Sequence, residues 1–120
     1  MSQHDRRIHY ISPQELAQNL GGTDRALLLD VRAPDELHGE LGHVPNALNI
    51  PLNQLKERLS DLAGQEDHEV VVICGTGRRS EQAALILRDA GFKRVRVLSG
   101  GMLVCRSTPA TQRFQFHRTS

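Results

Sequence analysis

Residues 69–74 read Glu-Val-Val-Val-Ile-Cys and run directly into Gly75-Thr76-Gly77-Arg78-Arg79-Ser80. The β-branched residues at 70–73, with no polar residue among them, describe a strand covered on both faces, as in a parallel sheet, and a glycine closes it. Residues 26–31 (ALLLDV) repeat the pattern, and 94–98 (RVRVL) alternate as a strand does. Between these runs the period changes. Residues 80–90 place Ala83, Ala84, Leu87 and Ala90 on one helical stripe that ends at Gly91, and 53–62 place Leu55, Leu59 and Leu62 at helical spacing, with Lys56, Glu57 and Arg58 on the wet side. Strands alternating with helices imply βαβ units and an α/β fold built on a parallel sheet.

Outward from this centre the signals are shorter. Residues 8–11 are a candidate strand, and Ser12-Pro13-Gln14-Glu15 combines an N-cap serine, a proline at the first helical position and a glutamate three residues after the cap. A helix to about Leu20 follows, ended by Gly21-Gly22. Residues 32–50 are the least regular, with a helical turn expected at 35–37 and a short strand at 47–50, and Gly100-Gly101 opens a last helical piece. The expected organisation is a flexible N-terminus at 1–7, one domain at 8–108 and a loose tail at 109–120.

Composition excludes several function classes. A chain of 120 residues fits one domain, and 15 Lys+Arg against 14 Asp+Glu give none of the basic footprint of a nucleic-acid binder. The apolar runs at 26–29 and 70–74 fall far short of the ~20 residues a membrane span needs. Two cysteines, Cys74 and Cys105, are too few for a disulfide framework, and no leader pattern opens the chain, so a cytoplasmic setting is expected. The six histidines lack partners at ligand spacing, which predicts no metal, and His43, before Val44-Pro45, is read as structural. Gly75-x-Gly77-x-x-Ser80 lacks the third glycine of a dinucleotide fingerprint and no Gly-Lys-Ser/Thr exists, so no nucleotide cofactor is expected.

Open parallel sheets build their sites at the carboxyl ends of strands, and Cys74 stands at such an end. A glycine-bearing loop that curls into a helix start aims backbone N–H groups inward, and Arg78 and Arg79 add charge, which together favour a thiolate over a thiol. The competing reading is a small buried residue finishing a core strand. Asp30, Arg32 and Glu36 offer a carboxylate, a guanidinium and a carboxylate, read as a structural set in which Arg32 pairs with Glu36, with Asp30 still able to hydrogen-bond near the site.

Four segments taken together, Asp30-Val31-Arg32-x-Pro34-x-Glu36, Gly42-His43-Val44-Pro45-x-Ala47, Cys74-x-x-Gly77-x-Arg79-Ser80 and Gly91-Phe92 through Gly100-Gly101-Met102, resemble the rhodanese family of sulfurtransferases. The resemblance implies a five-stranded parallel sheet flanked by helices on both faces and a persulfide carried on Cys74. It further implies a substrate cradle of Gly75, Thr76, Gly77, Arg78 and Arg79, with Asp30, Arg32, Glu36 and Ser80 in support. The implied partners are a sulfur donor such as thiosulfate and a cyanide, thiol or protein acceptor, with no cofactor, no nucleic acid and no membrane. The sequence departs from the family pattern at Gly75, often basic in active relatives, and at Cys105, where a tryptophan is common. Two other readings stay open at this point: a non-catalytic binding module, and a cysteine-dependent phosphatase or arsenate reductase of the same fold. The latter resemble a loop one residue longer than the four residues that separate Cys74 from Arg79 here.

Overall fold

The computed structural model describes residues 8–20, 26–39, 42–44, 46–75 and 78–107. The expected N-terminal segment 1–7, the Gly21-Gly22 stop and the tail 109–120 lie outside the described residues. The chain runs β1 (Tyr10–Ile11), α1 (Pro13–Leu20), β2 (Leu27–Asp30), a 3₁₀ turn (Pro34–His38), β3 (Leu48–Asn49), α2 (Leu52–Leu55), a second 3₁₀ turn (Leu59–Leu62), β4 (Glu69–Ile73), α3 (Arg78–Asp89), β5 (Arg94–Leu98) and α4 (Gly101–Ser107). The five strands form one sheet in the order β1-β5-β4-β2-β3, and every pairing is parallel.

Strand β4 is central because it is the strand that two others need. Val70 to Ile73 pair with Leu27 to Asp30 of β2, and Glu69 to Val72 pair with Arg94 to Val97 of β5. Its unbroken apolar run follows from the two-residue period of a strand. Val70, Val72 and Cys74 enter the core cluster that holds Leu55 and Leu62 together with Ala83, Ala84 and Leu87 of α3. Val71 and Ile73 enter the opposite cluster, with Leu16 of α1 and Met102 and Cys105 of α4. Helices thus cover both faces, and every side chain from 70 to 74 has an apolar destination. Among the described residues no helix is long and apolar enough to cross a membrane.

The expected cap of α1 is present: Ser12 N donates to Glu15 Oε1 at 3.0 Å and Glu15 N donates to Ser12 Oγ at 3.1 Å. The helix expected over 53–62 is divided. After α2, Arg58 N donates to both Gln54 O and Leu55 O, and the chain tightens into i→i+3 bonds such as Asp61 N to Arg58 O. Tighter winding sets Leu59 and Leu62 one above the other, so both meet the sheet, which regular α-winding does less well. Helix α3 begins at Arg78, two residues earlier than the sequence suggests, and Ala90 is exposed instead of completing its stripe. The cause is the helix stop: Gly91 has φ +102°, Gly91 N donates to Arg88 O and Phe92 N reaches back to Leu87 O. That turn puts Phe92 in the core position that Ala90 was expected to fill.

Candidate active site

Cys74 follows the last residue of β4, and its side chain is 1% exposed. Beyond it the sheet cannot satisfy the backbone, since β4 has ended, and a buried carbonyl needs a donor. The donors come from α4: Met102 N reaches Cys74 O at 2.8 Å and Leu103 N reaches Gly75 O at 3.0 Å. The approach is so close that Gly101, at φ +63°, has no room for a side chain. A Cβ there would lie 2.4 Å from Cys74 O and 2.6 Å from Gly75 O. Sequence reading missed Met102 and Leu103 as contributors, because their role is played by backbone N–H groups; Gly100-Gly101 was the available signal.

Thr76 and Gly77, both expected in the cradle, lie outside the described residues. Arg78 is exposed at the helix start, whereas Arg79, as the second residue of α3, turns inward. Arg79 grips Glu36 through two parallel bonds, Nη1 to Oε2 at 2.6 Å and Nη2 to Oε1 at 2.8 Å. Its Nη2 also lies close to Gly75, 3.7 Å from where a Cβ on that residue would stand. The Arg79 pKa is raised, first by the Glu36 hydrogen bonds and further by the charges of Glu36, Cys74 and Asp30. Glu36 is held below the usual glutamate range chiefly by Arg79, with a contribution from the Ala33 N–H, while its burial opposes the shift.

The expected Arg32–Glu36 pair is therefore corrected. Arg32 turns back to Asp30, with Nε to Oδ1 at 3.1 Å and Nη2 to Oδ2 at 2.8 Å, and Arg32 N also donates to Asp30 Oδ1 at 3.0 Å. Residues 30 and 32 share a face of the extended chain, whereas Glu36 sits on a 3₁₀ turn that faces α3. A further bond from Arg32 Nη2 to Gly42 O at 2.7 Å ties in the next loop. Asp30 and Arg32 are both buried, so their role is to fix this corner of the sheet, and the Asp30 carboxylate is committed to Arg32. His43, read as structural from the sequence, donates from Nδ1 to Leu37 O at 3.2 Å. Ser80 is fully buried, and its Oγ has no hydrogen-bond partner among the described residues.

Beside Arg79 opens a cleft of about 590 Å³ between α2 and α3, lined among others by Val31, Leu52, Lys56, Gln82 and Ile86. No sequence signal marked it, since its lining comes from three separate segments, at 31–33, 51–56 and 79–86.

Comparison with known proteins gives one family model, the rhodanese-like domain, matching residues 12–106. A sulfurtransferase of Allochromatium vinosum is 35% identical over 96 residues, covering 80% of this chain and 86% of that protein. The thiosulfate sulfurtransferase PspE of Escherichia coli is 39% identical over 72 residues, covering 60% of this chain and 67% of that protein. A human single-domain sulfurtransferase structure superposes with a TM-score of 0.66 at 29% identity, covering 79% of this chain and 92% of that one.

Two outcomes follow from the geometry. Gly101→Ala is expected to destabilise the fold by at least about 1–2 kcal/mol, the cost of a left-handed non-glycine residue before any clash is counted. Urea denaturation measures this, and the amide resonances of Met102 and Leu103 should shift as their bonds to the loop are displaced. Glu36→Gln is expected to cost about 0.5–1 kcal/mol at neutral pH, because the pair is half-exposed but two-pronged. A lowered folded pKa gives stability that is present above the ordinary glutamate value of 4.5 and lost as pH falls through the folded value. The stability gap between wild type and Glu36→Gln should therefore close under acid.

Proposed function

The chain belongs to the rhodanese-like domain family, and from that premise we propose that it is a sulfurtransferase that carries sulfane sulfur as a persulfide on Cys74. Family membership and the sulfurtransferases among its relatives support sulfur transfer as the function. The observation that carries the finer reading is the placement of Cys74: a thiol at the end of the central strand, its loop pinned on one side by α4 and flanked on the other by the fixed Arg79 guanidinium.

In the first step the Cys74 thiolate attacks the outer sulfur of a donor such as thiosulfate. The donor S–S bond breaks, sulfite leaves with the electron pair, and Cys74–S–S⁻ remains. In the second step cyanide or a thiolate attacks the outer sulfur, the Cys74 S–S bond breaks, and the Cys74 thiolate is restored. No net oxidant is needed. An anionic persulfide gains from fixed donors beside it, and Arg79, held by Glu36 and close to Gly75, stands there as a guanidinium of set orientation more than as a loose charge. Burial of Cys74 keeps bulky electrophiles away, which suits a small donor. Four residues separate Cys74 from Arg79, one fewer than in the phosphatase and arsenate reductase loops, and this shorter spacing supports one added sulfur over a tetrahedral phosphoryl group. Two thiols that are not joined in a disulfide suit a reducing cytoplasm, which belongs to the same proposal.

Cys74→Ser should abolish thiosulfate:cyanide transfer in a folded protein, since an alkoxide is far harder to form than a thiolate. Cys105→Ala, in the cluster on the other face of the sheet, should retain it. Loss of turnover in folded Cys105→Ala, or aryl phosphatase activity that depends on Cys74, contradicts the assignment.

A further inference from the structure

The cleft between α2 and α3 has no part in the donor step, yet it is built against the site. Val31 and Leu52 line it and also belong to, or pack against, the apolar cluster that contains Cys74, so cleft and thiol lie on the same face of the sheet. Arg79 forms its upper wall and stands next to Gly75, the residue after Cys74. Its size is informative: at ~30 Å³ of liquid volume per water, 590 Å³ is room for roughly twenty waters, far more than thiosulfate or cyanide occupies.

Its charge is informative as well. Among the described residues, two cations, Arg79 and Lys56, and no carboxylate line the cleft. Arg79 is already neutralised by Glu36, whereas no carboxylate among the described residues lies within ion-pair distance of Lys56. Both helices start at the carboxyl edge of the sheet and descend from it, since each leads to a strand that begins at the opposite edge. At 1.5 Å rise per residue, Lys56 lies about 6 Å below Leu52 and Ile86 about 10 Å below Arg79. The cleft is thus an apolar trough that begins beside the sulfur-carrying loop and passes a cation about one helical turn down.

We propose that this cleft is the acceptor site, and that it seats a small thiol bearing an anionic group, with the anion at Lys56, the aliphatic stem against Leu52 and Ile86, and the sulfur towards the loop at Arg79. The proposal rests on the persulfide reading above and adds the class of acceptor and the residue that selects it. The transfer balances without a co-reactant: the acceptor thiolate attacks the outer sulfur, which stands one S–S bond, ~2.05 Å, beyond Cys74 Sγ. The Cys74 S–S bond breaks, Cys74 leaves as thiolate, and the acceptor departs as its persulfide.

The test loads the full chain with thiosulfate, confirms loading by cyanide-released thiocyanate, and measures discharge to 3-mercaptopropionate and to neutral 2-mercaptoethanol. Lys56→Gln should lower the ratio of the two second-order rate constants by about two- to five-fold, the range of one exposed ion pair. Lys56→Glu should lower it further, and added salt should erode the wild-type ratio. Lys93→Gln, at an exposed ion pair beside β5, serves as control and should leave the ratio alone. A ratio unchanged in both Lys56 variants overturns the proposal. A second arm needs no sulfur chemistry: the S-methyl thioether of 3-mercaptopropionate should shift the amide resonances of Lys56, Gln82 and Ile86 in wild type and less in Lys56→Gln. Absent shifts overturn the cleft assignment, while shifts in a protein that cannot be loaded uphold binding of the anionic ligand in the cleft and refute the persulfide reading, and with it the acceptor role.

Discussion

Two carbonyl groups govern the architecture around Cys74. When β4 ends, Cys74 O and Gly75 O leave the sheet still buried, and leaving either without a donor would cost about 1–3 kcal/mol. Met102 N and Leu103 N supply the donors, so α4 has to begin where the thiol-bearing loop begins. That requirement propagates. It fixes Gly101 as a residue without a side chain, brings Met102 and Cys105 into the cluster beneath Ile73, and makes the last helix a structural part of the site. The loop is positioned on this side by backbone contacts, from Met102 N to Cys74 O and from Leu103 N to Gly75 O.

The two ion pairs near the site do different work, and burial decides which. Asp30 and Arg32 are out of water, so removing one partner would strand a buried charge, at a cost of about 3–5 kcal/mol. This pair, with its bond to Gly42 O and the Asn49 Nδ2 bonds to Asp30 O and Arg32 O, anchors the irregular segment after β2. Glu36 and Arg79 remain partly solvated, and their pair is correspondingly weaker. Its value lies in direction: two parallel bonds hold the guanidinium in one orientation between the loop and the cleft.

Much of this was legible in the sequence where the signal was local. The run at 70–73 and the alternation at 94–98 located β4 and β5, and Ser12 with Glu15 located the start of α1, because strand period and cap chemistry act over a few residues. Cys74 was legible for the same reason, standing where an apolar run meets glycine. What was not legible depended on distance. Arg32 had three carboxylates within four residues, Asp30, Asp35 and Glu36, and only the fold decides that Glu36 belongs to Arg79, 43 positions away. The leucines at 55, 59 and 62 fit an α-helix equally well until the sheet beneath them selected a tighter turn. The cleft joins residues from the β2 end, α2 and α3, and has no local pattern to betray it.

The central claim is that sulfur resides covalently on Cys74, and intact mass spectrometry after incubation with thiosulfate tests it most directly. The account predicts a gain of one sulfur atom, mapped to the peptide that contains Cys74 and removed by cyanide or by a reductant. A folded protein whose mass does not change, or whose added sulfur maps to Cys105, contradicts it.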